Sequence, residues 1–213
     1  HSDGKANTRH GDGYLSVSPP SDEPFDAYLY NPNDPVPTAG GPLCCNPYFV
    51  RNGAFDQGEI EDRSDVLVYT TTPLATDVEV TGPVRVNLWA TTTALDTDFT
   101  AKLVDVCEDG CARNLTDGII RARFRHSMSD PSLITPNEPT LYNIDLWATS
   151  NCFKKGHSIR IEVSSSNFPR FDRNSNTGNV ISEDRKLLPA LQQILHTSEF
   201  PSYITLPIIP RSN

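Results

Sequence analysis

Methionine is almost missing, with one in 213 residues, and no uninterrupted apolar run approaches 18 residues. A membrane-spanning helix needs about 20 consecutive apolar residues, so none is encoded here. Basic residues are also scarce: 18 Lys and Arg against 27 Asp and Glu give a formal charge of −9. Nucleic-acid binding needs a basic footprint. The expectation is a soluble acidic protein with no nucleic-acid partner and no membrane partner. Cys44, Cys45, Cys107, Cys111 and Cys152 form no C-x-x-C pair, and no histidine sits at finger-like spacing from them. That argues against zinc. Asp96, Asp98 and Asp172 are loop carboxylates that calcium could take, but they lack a spaced ligand pattern and read more simply as turn caps. No metal and no cofactor are expected.

The chain also lacks a G-x-S-x-G nucleophile elbow, which an α/β-hydrolase needs between strand and helix. Gly156-His157-Ser158-Ile159-Arg160 comes nearest, but it has no closing glycine and runs into a strand. No alternation of strands with helices builds a parallel sheet. The expectation is therefore a chain with no catalytic residue of its own, and His157 reads as a surface histidine. There is no charged and apolar leader, and the chain opens on His1, which reads as the start of a piece of a longer protein.

What is abundant is proline, 18 in all, and period-two patterning. Val84, Val86, Leu88 and Ala90 alternate with Arg85, Asn87 and Trp89. Tyr142, Ile144, Leu146 and Ala148 alternate with Asn143, Asp145 and Trp147. Ile159, Ile161 and Val163 alternate with Arg160 and Glu162, and Ile120, Ala122 and Phe124 with Arg121, Arg123 and Arg125. Alternation marks half-buried strands. Thr81-Gly82-Pro83, Glu108-Asp109-Gly110, Thr116-Asp117-Gly118 and Lys155-Gly156 punctuate them as turns. The pattern predicts an all-β antiparallel sandwich. One short helix is predicted near the C-terminus, over 183–196, from the stripe Leu187, Leu188, Leu191, Ile194 and Leu195; Pro189 either starts or kinks it. A strand over 203–209 follows.

Residues 1–64 read as an irregular lead-in with short strand candidates at 14–17 and 26–30. Its Tyr14, Leu15, Phe25, Tyr28, Leu43, Tyr48, Phe49 and Phe55 have no clear strand period, and several are expected to be exposed where a neighbouring domain sits. Cys107 and Cys111 flank a hairpin tip and are either two thiols or a disulfide. Arg121, Arg123 and Arg125 share one strand face, answered either by Asp105, Asp145 and Glu162 or by a docked partner.

Four blocks in order carry a resemblance. They are Asn31-Pro32-Asn33-Asp34-Pro35-Val36-Pro37-Thr38-Ala39-Gly40-Gly41, Asp96-Thr97-Asp98-Phe99-Thr100-Ala101-Lys102-Leu103-Val104-Asp105-Val106, Leu146-Trp147-Ala148-Thr149-Ser150-Asn151, and Ser164-Ser165-Ser166-Asn167-Phe168-Pro169-Arg170-Phe171-Asp172-Arg173-Asn174. Together they resemble the C-terminal β-domain of the cocaine esterase and X-Pro dipeptidyl-peptidase-like serine hydrolases, the CocE/NonD group. The resemblance implies a jelly roll of the galactose-binding-like type over 65–213 and an interdomain arm over 1–64. It implies an α/β-hydrolase catalytic domain upstream of residue 1, which carries nucleophile, acid and base. The substrate of such a parent is a small-molecule or peptide acyl compound, and a homo-oligomer is compatible with it. By the same resemblance, Leu43, Cys44 and Cys45 wall the substrate pocket; the alternative is a buried apolar patch. Asn167, Asp172, Arg173 and Asn174 read as side chains that hold their loop. The competing function is a free-standing carbohydrate-binding module with Trp89 and Trp147 as stacking residues.

Overall fold

A computed structural model describes residues 1–42, 51–180 and 182–210. Nine strands are described: β1 (Asp26–Tyr30), β2 (Leu67–Thr70), β3 (Val78–Thr92), β4 (Asp98–Val106), β5 (Ala112–Arg121), β6 (Thr140–Phe153), β7 (Ser158–Ser164), β8 (Ala190–Ile194) and β9 (Tyr203–Thr205). They form two sheets, β1-β8-β3-β6 with β9 also on β3, and β2-β7-β4-β5. Every pairing between these strands is antiparallel, and the sheets stack as a jelly-roll-like sandwich. Among the described residues no helix is long and apolar enough to cross a membrane.

The inward residues of β3 and β6 are those the alternation selects. Val84, Val86, Leu88, Tyr142, Ile144 and Leu146 are buried together with Phe99, Leu103, Ile161 and Val163 of the opposite sheet. The Phe99 and Tyr142 rings meet between the sheets at 4.7 Å, within the range where aromatic pairs add to burial.

Two elements differ from the sequence reading. The segment expected to be a helix over 183–196 holds strand β8 instead. Ala190, Gln192 and Ile194 point inward, and Leu191 and Gln193 outward. β8 fills the gap between β1 and β3, pairing with both. Those ladders satisfy its backbone, and Pro189, which lacks an N–H, stands at its entrance rather than inside a helix. Tertiary pairing has overridden the helical stripe. Likewise β5 stops at Arg121, and Ala122–Phe124 is a 3₁₀ turn, so the three arginines do not share a strand face.

Within the lead-in, β1 is an edge strand paired with β8, and a four-residue helix, α1 (Gly58–Glu61), lies just before β2. Tyr28 and Ala6 belong to the core and Leu15 packs against it. Tyr14 and Phe25 are exposed, and Phe55 is half-buried. Leu43, Tyr48 and Phe49 lie outside the described residues.

Candidate functional site

Strands β4 and β7 are buried on both faces, which a two-layer sandwich alone does not produce. The second cover is the lead-in itself, and the interface beneath it is charged. Lys102 on β4 donates from Nζ to Glu162 Oε2 on β7 at 2.9 Å and to Gln57 Oε1 at 2.9 Å. Beside this pair, Arg160 on β7 donates to Glu61 Oε2 of α1 at 2.6 Å and to the Thr70 hydroxyl at 2.8 Å. Burial, reinforced by the nearby Glu162 charge, pushes the Glu61 carboxyl up to about 7 against the pull of Arg160. The second oxygens of Glu61 and Glu162 have no protein partner. Buried pairs of this kind add little net stability, but removing one member strands the other's charge.

The same cover closes the base of the segment that carries Leu43, Cys44 and Cys45. Gly41 and Gly53 exchange backbone hydrogen bonds at 2.8 and 3.0 Å. Gly41 has φ of +113°, which only glycine adopts without strain. Downstream, Phe55 N–H donates to Asn114 Oδ1 on β5 at 2.8 Å, Gln57 Nε2 to Ala39 O at 2.8 Å, and Ala112 N–H to Asp56 Oδ1 at 3.0 Å. The two ends of the 42–52 stretch are thus joined to each other, and the downstream end is bonded to β5. Leu43, Cys44 and Cys45 themselves lie outside the described residues.

Directly beneath this base, Asn167 Nδ2 donates to Asp117 Oδ2 at 3.1 Å. Arg170 Nε lies 2.9 Å from the same oxygen, an ion pair whose N–H does not point along the contact. Burial raises the Asp117 carboxyl above its usual range, with Arg170 opposing. At the other end of the 167–174 loop, Asn174 Nδ2 bridges Asp96 Oδ2 at 2.9 Å and Asp98 Oδ1 at 2.8 Å. Arg173 donates to Pro32 O and Asp172 accepts from Arg121. The loop is therefore tied to the lead-in, to β4 and to the end of β5.

The carboxylates considered for calcium are used up in these contacts. Arg121 meets Asp98 at 2.9 Å and Arg123 meets Asp96 at 2.7 Å, and burial pushes the Asp98 carboxyl up to about 6. Among the described residues no group of three His, Cys, Asp or Glu could hold a metal ion. Arg125 donates to the carbonyls of Ala122, Ser132 and Leu133. So the arginines are answered, but not by Asp105, Asp145 and Glu162, whose contacts are His157, the Trp147 N–H and Lys102. Cys107 and Cys111 are free thiols at their hairpin, joined only by a backbone bond, Cys107 N–H to Cys111 O at 2.9 Å.

One cluster had no motif to announce it. His196 Nε2 lies 2.7 Å from Asp26 Oδ2, which also accepts the Tyr69 hydroxyl at 2.9 Å. Ser2 Oγ and Ala6 N–H donate to Asp26 Oδ1, each at 2.8 Å. Burial alone would raise Asp26; His196, Ala6 and Ser2 outweigh it and hold the carboxyl below its usual range. Ser2 donates to the aspartate and not to the histidine, so the group lacks the order of a hydrolytic triad and instead fastens the lead-in to β1, β2 and the chain after β8.

Trp89 packs its ring on Phe200 at 5.0 Å. Its β6 partner is Leu141, six residues before Trp147, a separation of roughly 20 Å along the strand. The two tryptophans thus cannot stack on one sugar ring.

Comparison with known proteins agrees with this architecture. Residues 2–205 match the X-Pro dipeptidyl-peptidase C-terminal non-catalytic domain. Cocaine esterase of Rhodococcus sp. (strain MB1 Bresler) is 50% identical over 210 residues, covering 98% of this chain and 36% of that protein. Among solved structures, an aminopeptidase from a marine-sediment Thaumarchaeota archaeon superposes with TM-score 0.85 at 30% identity. An α-amino acid ester hydrolase does so with TM-score 0.86 at 30% identity. In both, 97% of this chain covers 36% of the other, so the chain spans little more than a third of the length of these relatives. The chain belongs to the family of X-Pro dipeptidyl-peptidase C-terminal non-catalytic domains, the β-sandwich module of CocE/NonD-type hydrolases.

Proposed function

We propose that this module buttresses an α/β-hydrolase domain in the same polypeptide and supplies, through Leu43, Cys44 and Cys45, part of the wall of its acyl-substrate pocket. The parent reaction is hydrolysis of an ester, an amide or an X-Pro bond through an acyl-enzyme, with nucleophile and base on the other domain. The observation that carries this reading is the two-ended clamp. The stretch 42–52 is pinned by Gly41–Gly53, Phe55–Asn114 and Gln57–Ala39, on a platform of Lys102, Glu162 and Asp117 that is itself buried. A surface loop with no role needs no such foundation, whereas a pocket wall must be held within a fraction of an ångström. Leu43→Ala in the intact polypeptide tests it: acyl substrates should show a raised KM or a changed preference for acyl size. Unchanged kinetics across a series of acyl chain lengths would refute the wall.

A further inference from the structure

Trp147 is 72% exposed and has φ of +64°, a left-handed conformation that is strained for a bulky side chain. It sits on a β-bulge. Pro83 pairs with Ala148 and Arg85 with Asp145, so Val84 alone faces both Leu146 and Trp147. Bulges re-aim side chains, and this one is held from three sides. Gly118 on β5 lies so close that a Cβ there would stand 2.1 Å from the Asp145 carbonyl oxygen. The Thr116 hydroxyl donates to the Leu146 carbonyl, and the Trp147 N–H donates to Asp145 Oδ1 at 2.8 Å. These three contacts hold the strained backbone, and the tryptophan on it stands outward, away from the core. Strain of this kind persists only where the surroundings over-determine it, and it gathers at functional positions.

We propose that Trp147 is the anchor by which this module docks on the catalytic domain of its own polypeptide, inserted into an apolar pocket of that domain. This rests on the reading above that the module is part of a larger hydrolase. Two observations select that occupant. First, Thr149, Ser150 and Asn151, two to four residues beyond Trp147 along β6, line a cavity of about 340 Å³ together with Gly41, Gly53 and Asn114. The tryptophan thus shares a side of the module with the clamp beneath the proposed pocket wall. Second, relatives that align over nearly the whole of this chain are covered by it to only 36%, so in them this module is attached to a much larger body, which is the occupant offered to an exposed anchor. Tryptophan is the residue most enriched among interface residues whose truncation is costly.

The test uses the intact polypeptide. Trp147 is oxidised with N-bromosuccinimide and its modification followed by mass spectrometry, native against denatured. Protection of at least about ten-fold, independent of protein concentration, is expected for an anchor buried at an interdomain contact. Oxidation at the denatured rate would overturn the proposal. So would protection that grows with protein concentration, which marks a second copy, or protection that arises only with added oligosaccharide, which marks a sugar site. A second measurement is Trp147→Gly, which relieves the positive φ. Limited proteolysis between the two domains should accelerate about ten-fold while hydrogen exchange within β3 and β6 stays as slow as in the parent. Loss of that exchange protection with no change in cleavage between domains would assign Trp147 a structural role and overturn the docking. Failure of the Leu43 test leaves this result untouched, so the two readings fail separately.

Discussion

Replacing Glu61 by glutamine isolates the electrostatics of the clamp. The carboxyl is fully buried against Arg160, yet burial and Glu162 move it from 4.5 to about 7. A carboxyl held higher in the fold than in the unfolded chain binds its proton more tightly in the fold. Its stabilising contribution is complete below about pH 4.5 and is lost as pH rises through about 7. At about 1.4 kcal/mol per decade of affinity, the full loss is about 3 kcal/mol. His1, raised by its bond to Glu23, and Asp98 and Asp117, raised by burial, work in the same direction. The informative quantity is therefore the difference between parent and variant. Urea unfolding midpoints of the 213-residue chain at pH 5, 6, 7 and 8 give it (about the window in which Glu61 titrates). Glutamine resembles the protonated acid, so the variant should lie nearest the parent at pH 5 and exceed it by a growing margin up to pH 8. A parent that gains stability over the variant between pH 5 and 8 would show that the 2.6 Å bond from Arg160 dominates, and would refute the reasoning.

Lys102→Met should cost about 3–5 kcal/mol by leaving Glu162 buried without its cation, and the double variant with Glu162→Leu should recover most of that, both read by thermal or urea unfolding. Gly118→Ala should destabilise by about 1–3 kcal/mol, because its Cβ collides with the Asp145 carbonyl at 2.1 Å; an unchanged midpoint would mean that the bulge shifts freely. The 213-residue chain alone should hydrolyse activated esters no faster than buffer.

β3, β6 and β7 were legible because each puts apolar residues on its inner side at alternate positions, and turns carry their own glycines and prolines. β8 was not. The leucines in and around it, at 187, 188, 191 and 195, fit a helical stripe, and only pairing with β1 and β3 makes a strand the better solution. The end of β5 was misread for a related reason. Arg121, Arg123 and Arg125 keep the strand period, while their partners Asp98, Asp96 and the Ser132 carbonyl bend the chain into a turn. The platform under the lead-in was beyond reach, since Lys102 meets Gln57 across 45 residues and Glu162 across 60, and alternation places such charges in water. The 41–53 clamp was legible only as Gly40-Gly41 before a suspected wall. Trp147 was noticed as an aromatic but not as strained, because the bulge that carries it is held in part by Gly118 and Thr116 on a different strand.

The most direct measurement is a crystal structure of the intact polypeptide trapped as its acyl-enzyme. The account predicts Leu43, with Cys44 or Cys45, in van der Waals contact with the acyl group, within about 4.5 Å, above an intact Gly41–Gly53 pair. A structure in which 43–45 face bulk solvent, with the pocket closed entirely by other residues, would contradict it.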